Sequence, residues 1–111
     1  MSDTENVFDV TDYREKKIIF TKKKLKEKSV NHPELLNATF LKNLEQTIID
    51  PEEVWQDYDK PRYKRCYYKK YSTNTYVKAI IWITDNPCRV VSAFETPFIK
   101  ESKYSELKRL K

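Results

Sequence analysis

A chain of 111 residues leaves room for one domain on a single modest core, since chains of this size bury about two-thirds of their unfolded surface. Hydrophobic residues at 39% and aromatics at 14% exclude wholesale disorder, and the absence of glycine excludes the phosphate-cradling loops of nucleotide-binding folds, whose torsions other residues resist. Lys and Arg outnumber Asp and Glu by 22 to 17, a net charge of +5 that favours a polyanionic partner, although a lysine-rich composition alone produces the same surplus.

The acidic start Ser2-Asp3-Thr4-Glu5-Asn6 has neither the basic nor the apolar part of a secretory signal, and no apolar run approaches the ~18 residues of a membrane span. Residues 1–6 and 101–111 read as flexible ends of a single domain over 1–111. Val7-Phe8-Asp9-Val10 and Lys17-Ile18-Ile19-Phe20 predict a short edge hairpin or strand. Thr21 can then cap a basic helix through Lys22–Lys28, anchored by Leu25 alone, whose lysines read first as a solvated face. Asn31-His32-Pro33-Glu34 interrupts the chain, because the residue before a proline is pushed out of the helical region.

From Leu36 the apolar Phe40, Leu41, Leu44 and Ile48 recur at helical spacing, predicting a helix with one buried face that ends before Asp50-Pro51. Glu52-Glu53-Val54-Trp55 begins the change to sheet, and Asp59-Lys60-Pro61 reads as a turn. Three strands follow, from Arg62 to Tyr71, Thr75 to Thr84 and Cys88 to Phe94, with turns at Ser72-Thr73-Asn74 and Asp85-Asn86-Pro87. The predicted class is α+β, with N-terminal helices packed on one face of a small antiparallel sheet. Cys66 and Cys88 stand far apart without a second Cys or a His at ligand spacing, so they read as buried thiols and no metal is expected. A soluble protein of a reducing, cytoplasmic compartment is the expectation.

Strand periodicity sorts the side chains. Val77, Ala79, Ile81 and Ile83 suit a helix-covered core, and Tyr76, Lys78, Ile80 and Trp82 share the opposite, open face. Assigning Val91 and Ala93 to the core leaves Ser92 beside Lys78 on the open face, joined in one register by Arg65 and Tyr67. A slip of one residue replaces those two with Lys64 and Tyr68.

Val7-Phe8-Asp9-Val10-Thr11, Lys17-Ile18-Ile19-Phe20-Thr21, His32-Pro33-Glu34-Leu35, a helix ending in Asp50-Pro51-Glu52, Arg65-Cys66-Tyr67-Tyr68, Tyr76-Val77-Lys78 and Val90-Val91-Ser92-Ala93-Phe94 follow one another in a telling order. That order resembles the phage-associated nuclease domains of the barnase, EndoU, colicin and RelE-like (BECR) superfamily, from about Val7 to Lys100. The resemblance implies a barnase/RelE-like fold and cleavage of RNA without metal or other cofactor, the 2′-hydroxyl attacking the adjacent phosphate. Such chemistry needs a base, an acid, and donors around the charge of the transition state. The resemblance assigns these roles to His32, Arg65, Tyr67, Lys78 and Ser92.

Family members commonly carry a further His-Ile pair where this chain has Glu27-Lys28. Either Glu27 takes the role of base or the activity is altered. Lys26, Lys28, Lys64, Lys69 and Lys70 are the expected RNA-binding cations. The implied partners are RNA and, for a toxin, an acidic antitoxin or immunity protein, with no membrane and no nucleotide cofactor. A catalytically inactive RNA- or protein-binding module on the same scaffold is the alternative.

Overall fold

The computed structural model describes residues 5–111; residues 1–4, most of the expected flexible start, lie outside the described residues. Strands β1 (Asn6–Thr11) and β2 (Lys17–Thr21) form an antiparallel hairpin, pairing Val10 with Ile18. Asp12 shapes its turn by accepting the backbone N–H groups of Arg14 and Lys16 at 2.9 Å each. Glu15 in this turn and Asn74 in a later one take φ of 65°, the left-handed conformation that a chain without glycine must ask of other residues.

Helix α1 (Lys22–Lys28) starts where expected, the Thr21 hydroxyl accepting the Lys24 N–H at 3.1 Å. A 3-10 turn over Pro33–Leu36 drives Leu35 into the core. Helix α2 (Ala38–Ile49) buries Phe40, Leu44, Thr47 and Ile48, and the Asn37 carboxamide oxygen caps it by accepting the N–H groups of Thr39 and Phe40 at 2.8 and 3.1 Å. Asn37→Ala is therefore expected to cost about 1 kcal/mol, read as a lower urea midpoint at unchanged slope. An unmoved midpoint would show that water replaces the cap.

The remaining strands are β3 (Glu53–Gln56), β4 (Lys64–Ser72), β5 (Thr75–Trp82) and β6 (Cys88–Thr96). All six form one sheet in the order β1-β2-β6-β5-β4-β3, antiparallel except where β2 lies parallel to β6. The expectation of N-terminal helices on a small antiparallel sheet is thus corrected. The sheet is mixed, two strands precede α1, and the described residues hold two α-helices; the class is α+β. An isolated two-stranded hairpin is marginal, so β2 completes its pairing on the edge of β6, and the segment carrying α1 and α2 supplies the crossover a parallel neighbour requires.

The main core lies between sheet and helices, where Phe20, Ile18, Val77, Ala79 and Ile81 meet Leu35, Phe40, Leu44 and Ile48. Each large side chain buried there contributes about 1.5–3 kcal/mol. Two sequence expectations about faces change. Arg65 and Tyr67 pair with Ile81 and Ala79 and so lie on the core side of β4, while Lys64, Cys66 and Tyr68 point to the open face. In β6 an irregularity between Ile80 and Ile81 of β5 sets Val90, not Val91, opposite Ile81, so Val90 and Ala93 are the buried pair. A single extra residue in one strand reverses every face assignment beyond it.

The last residues are paired. Leu107 is buried, the Gln56 N–H donates to the Lys108 carbonyl at 3.1 Å, and the Leu110 N–H donates to the Val54 carbonyl at 2.6 Å. A 3-10 turn at Lys100–Lys103 lies on the way.

Candidate active site

Cross-strand partners share a face, so the open side of β6, β5 and β4 is a grid of rows. Arg89, Trp82 and Lys64 form one, Ser92, Ile80 and Cys66 the next, Phe94, Lys78 and Tyr68 a third, and Thr96, Tyr76 and Lys70 a fourth. The C-terminal 3-10 turn lays Glu101 against the third row. Lys78 Nζ stands 3.0 Å from Glu101 Oε2, with side-chain exposures of 7% and 1%. The Tyr68 hydroxyl donates to the other Glu101 oxygen. Lys78 Nζ also lies 5.3 Å from the centre of the Tyr68 ring and 5.6 Å from that of Phe94. A buried ammonium is tolerable only with such compensation, here a carboxylate and the negative faces of two rings.

Asp57 supports this centre from the turn before β4. It accepts the N–H groups of Asp59 and Lys60 at 3.1 and 3.0 Å and the Cys66 thiol at 3.4 Å, with Lys64 Nζ at 3.6 Å. Burial pushes its carboxyl up, but the Lys60 N–H, the Cys66 thiol and the charges of Lys64 and Lys78 together hold it below the usual carboxylate range. A depressed folded value means that Asp57 contributes stability above about pH 4 and that this is lost as pH falls through the folded value. The stability difference between the protein and Asp57→Asn, from urea unfolding, should be full at pH 7 and close below about pH 4. A difference independent of pH would contradict the assignment.

Burial also raises the Cys66 thiol, and burial together with the bond to Glu101 raises the Tyr68 phenol, so both act as protonated donors at neutral pH. Asp57, Cys66 and Glu101 bring ligand atoms within 4.8 Å of one another. Both Glu101 oxygens are already engaged here, by the Tyr68 hydroxyl and the Lys78 ammonium.

Over Lys78 opens a groove of ≈ 410 Å³ lined by Lys64, Ile80, Phe94, Lys100 and Glu101 among others. His32 stands at Phe94, its ring stacked on that ring with centroids 4.8 Å apart and planes at 15°. Local chemistry puts it there. The His32 N–H donates to the Lys28 carbonyl at the end of α1 at 3.0 Å, and Glu34 accepts the Glu95 N–H of β6 at 3.3 Å, fixing the 3-10 turn to the strand that carries Phe94. His32 Nδ1 lies 4.0 Å from Glu34 Oε2. Phe94 thus neighbours both a part-exposed imidazole and a buried ammonium, group types that can transfer a proton and offset an anion's charge.

The family model described as phage-Barnase-EndoU-ColicinE5/D-RelE like nuclease2 matches residues 2–111. The chain belongs to this nuclease family. No curated protein and no solved structure matches it.

In this BECR-type nuclease, Lys78 and Ser92 of the sequence-derived set lie on the open face in neighbouring rows and His32 stacks on Phe94 of the Lys78 row, but neither His32 nor Ser92 lines the groove over Lys78. Arg65 and Tyr67 do not join them. Arg65 Nη1 donates to the carbonyls of Pro61 and Lys64 at 2.7 and 3.1 Å, and its Nε is buried without a partner among the described residues. The Tyr67 hydroxyl donates to Asp12 at 2.6 Å, tying β4 to the β1–β2 turn. Burial, with the Asp12 bond, raises the Tyr67 phenol. Glu27 pairs with Lys24 at 3.3 Å in a groove shared with Arg89. Arg89 is five residues before Phe94 on β6, about 16 Å along a strand.

Of the expected RNA-binding cations, Lys64 lines the groove and Lys70 lies on the open face, its Nζ 5.8 Å from the Tyr76 ring centre. Lys69 instead caps the end of α2 at the Asp50 carbonyl, 2.9 Å away, and Lys26 and Lys28 ride on α1. Sequence reading reached Tyr68 only through the one-residue slip, which is the register observed, and missed Glu101. The one available signal for Glu101 was the apolar spacing of Tyr104, Leu107 and Leu110 in the tail, of which Leu107 is buried.

Proposed function

We propose that this BECR-type nuclease is an endoribonuclease whose catalytic centre is the groove over Lys78. The observation that carries the reading is the Lys78 ammonium, held by Glu101 and flanked by the same Phe94 ring on which His32 stacks. In the reaction the substrate's 2′-oxygen loses its proton and attacks the adjacent phosphorus. The P–O5′ bond breaks and O5′ takes up a proton, leaving a 2′,3′-cyclic phosphate and a 5′-hydroxyl. His32 transfers protons, Lys78 offsets the charge that grows on the phosphoryl oxygens, and the Ser92 hydroxyl donates to one of them. Both Glu101 oxygens are engaged, by Tyr68 and Lys78, so Glu101 positions Lys78 and is not the base. Lys64 and Lys100 at the groove attract the flanking phosphates.

The role is that of a toxin, and an acidic antitoxin or immunity protein complements the net charge of +5. The test is incubation of purified protein with RNA in excess chelator, with analysis of product ends. Cyclic phosphate ends support the reading, and intact RNA, or cleavage only after a metal is restored, overturns it. A second reading, an RNA-binding module without turnover, draws on the pairing of Glu27 with Lys24 where relatives carry histidine. Salt-sensitive RNA binding with no cleavage decides for that alternative.

A further inference from the structure

We infer that the open face carries a separate platform, Tyr63 on Trp82, that stacks an unpaired base of single-stranded RNA; the inference rests on the groove over Lys78 being the catalytic centre. Most aromatic pairs here are tilted or edge-on, at 55° for Phe8–Phe20, 70° for Tyr13–Tyr67 and 89° for Tyr68–Tyr76. Two pairs are near-parallel, His32–Phe94 at 15° and Tyr63–Trp82 at 10° with centroids 5.7 Å apart. Phe94 shares the row of Lys78, whereas Trp82 stands two rows away, at one end of the grid. Trp82 is four residues from Lys78 on β5, about 13 Å along the strand, within reach of a short stretch of single strand.

Tyr63, stacked on Trp82, remains 48% exposed. It also lines a groove of ≈ 490 Å³ together with Lys60, Arg62 and Lys108. Among the described residues none of these three cations belongs to an ion pair, whereas Asp59 at the same groove is paired with Lys64 at 3.7 Å, which leaves Glu106 to oppose them. A flat exposed ring beside unpaired cations is the chemistry that holds a base and its phosphates, and a duplex, whose base faces are covered, cannot use it. Asp59 and Lys64 link this groove to the one over Lys78, since Asp59 lines both.

The experiment compares binding of an uncleavable, 2′-O-methylated oligoribonucleotide, single-stranded or annealed to its complement, by fluorescence anisotropy. The single strand should bind roughly tenfold tighter, Tyr63→Ala should remove that advantage without changing duplex binding, and Tyr63→Phe should restore it. Equal affinity for the two forms, or a Tyr63→Ala protein that binds the single strand like the parent, overturns the platform. Failure of the parent protein to cut any RNA overturns the catalytic reading alone, because the binding comparison still decides the platform.

Discussion

Glu101→Ala is expected to lower the unfolding free energy by about 3–5 kcal/mol, because it leaves the Lys78 ammonium buried beneath the groove without its carboxylate. Small domains hold only about 5–15 kcal/mol in total, so this one change removes a large share of the stability. The loss combines two costs, an uncompensated charge and a Tyr68 hydroxyl left without its acceptor. The double replacement Lys78→Met with Glu101→Leu should recover most of the loss, since an apolar pair of similar volume removes both charges together. Thermal unfolding of the two single variants and the double variant measures this. A loss under about 1 kcal/mol for Glu101→Ala would mean that the pair is open to water and that the C-terminal turn does not hold Lys78.

His32→Ala should leave the fold nearly intact and reduce RNA cleavage by about 10²–10⁴-fold, the usual contribution of a positioned proton-transfer group. The side chain is a third exposed and its main packing contact is the stack on Phe94, so its removal costs about 1 kcal/mol or less. Cleavage rates and melting temperatures measured on the same preparations separate the two effects. Arg65→Ala is the informative contrast. Its guanidinium holds the carbonyls of Pro61 and Lys64, so the expected result is lowered stability with a rate per folded molecule near that of the parent. Cleavage unaffected by His32→Ala, or abolished by Arg65→Ala in a folded protein, would move the catalytic centre to the other side of the sheet.

Such a contrast exists because part of the site was legible in the sequence and part was not. The alternation in β5 places Lys78 opposite to Val77 and Ala79 without any reference to other strands, and the structure keeps that division. The same alternation in β4 is ambiguous, since Lys64, Arg65, Tyr67, Tyr68, Lys69 and Lys70 make both faces polar and aromatic. Tyr67 goes to the core side because Asp12 waits there as an acceptor, and Asp12 is a partner 55 residues away in sequence.

Local chemistry was sufficient wherever a signal and its response lie within a few residues. Thr21 starting α1, the apolar stripe from Phe40 to Ile48, its end at Asp50-Pro51 and the turn at Asn74 are of this kind. What only the tertiary structure decided are pairings between distant segments: β2 parallel to β6, the irregularity that buries Val90, the β4 register and the return of residues 108–111 along β3. Each depends on which partner best buries apolar surface and completes backbone hydrogen bonds, a competition among the whole set of strands that no short window of residues encodes. Glu101 reached the centre of the molecule by that route, and the buried Lys78 is stable there because it did.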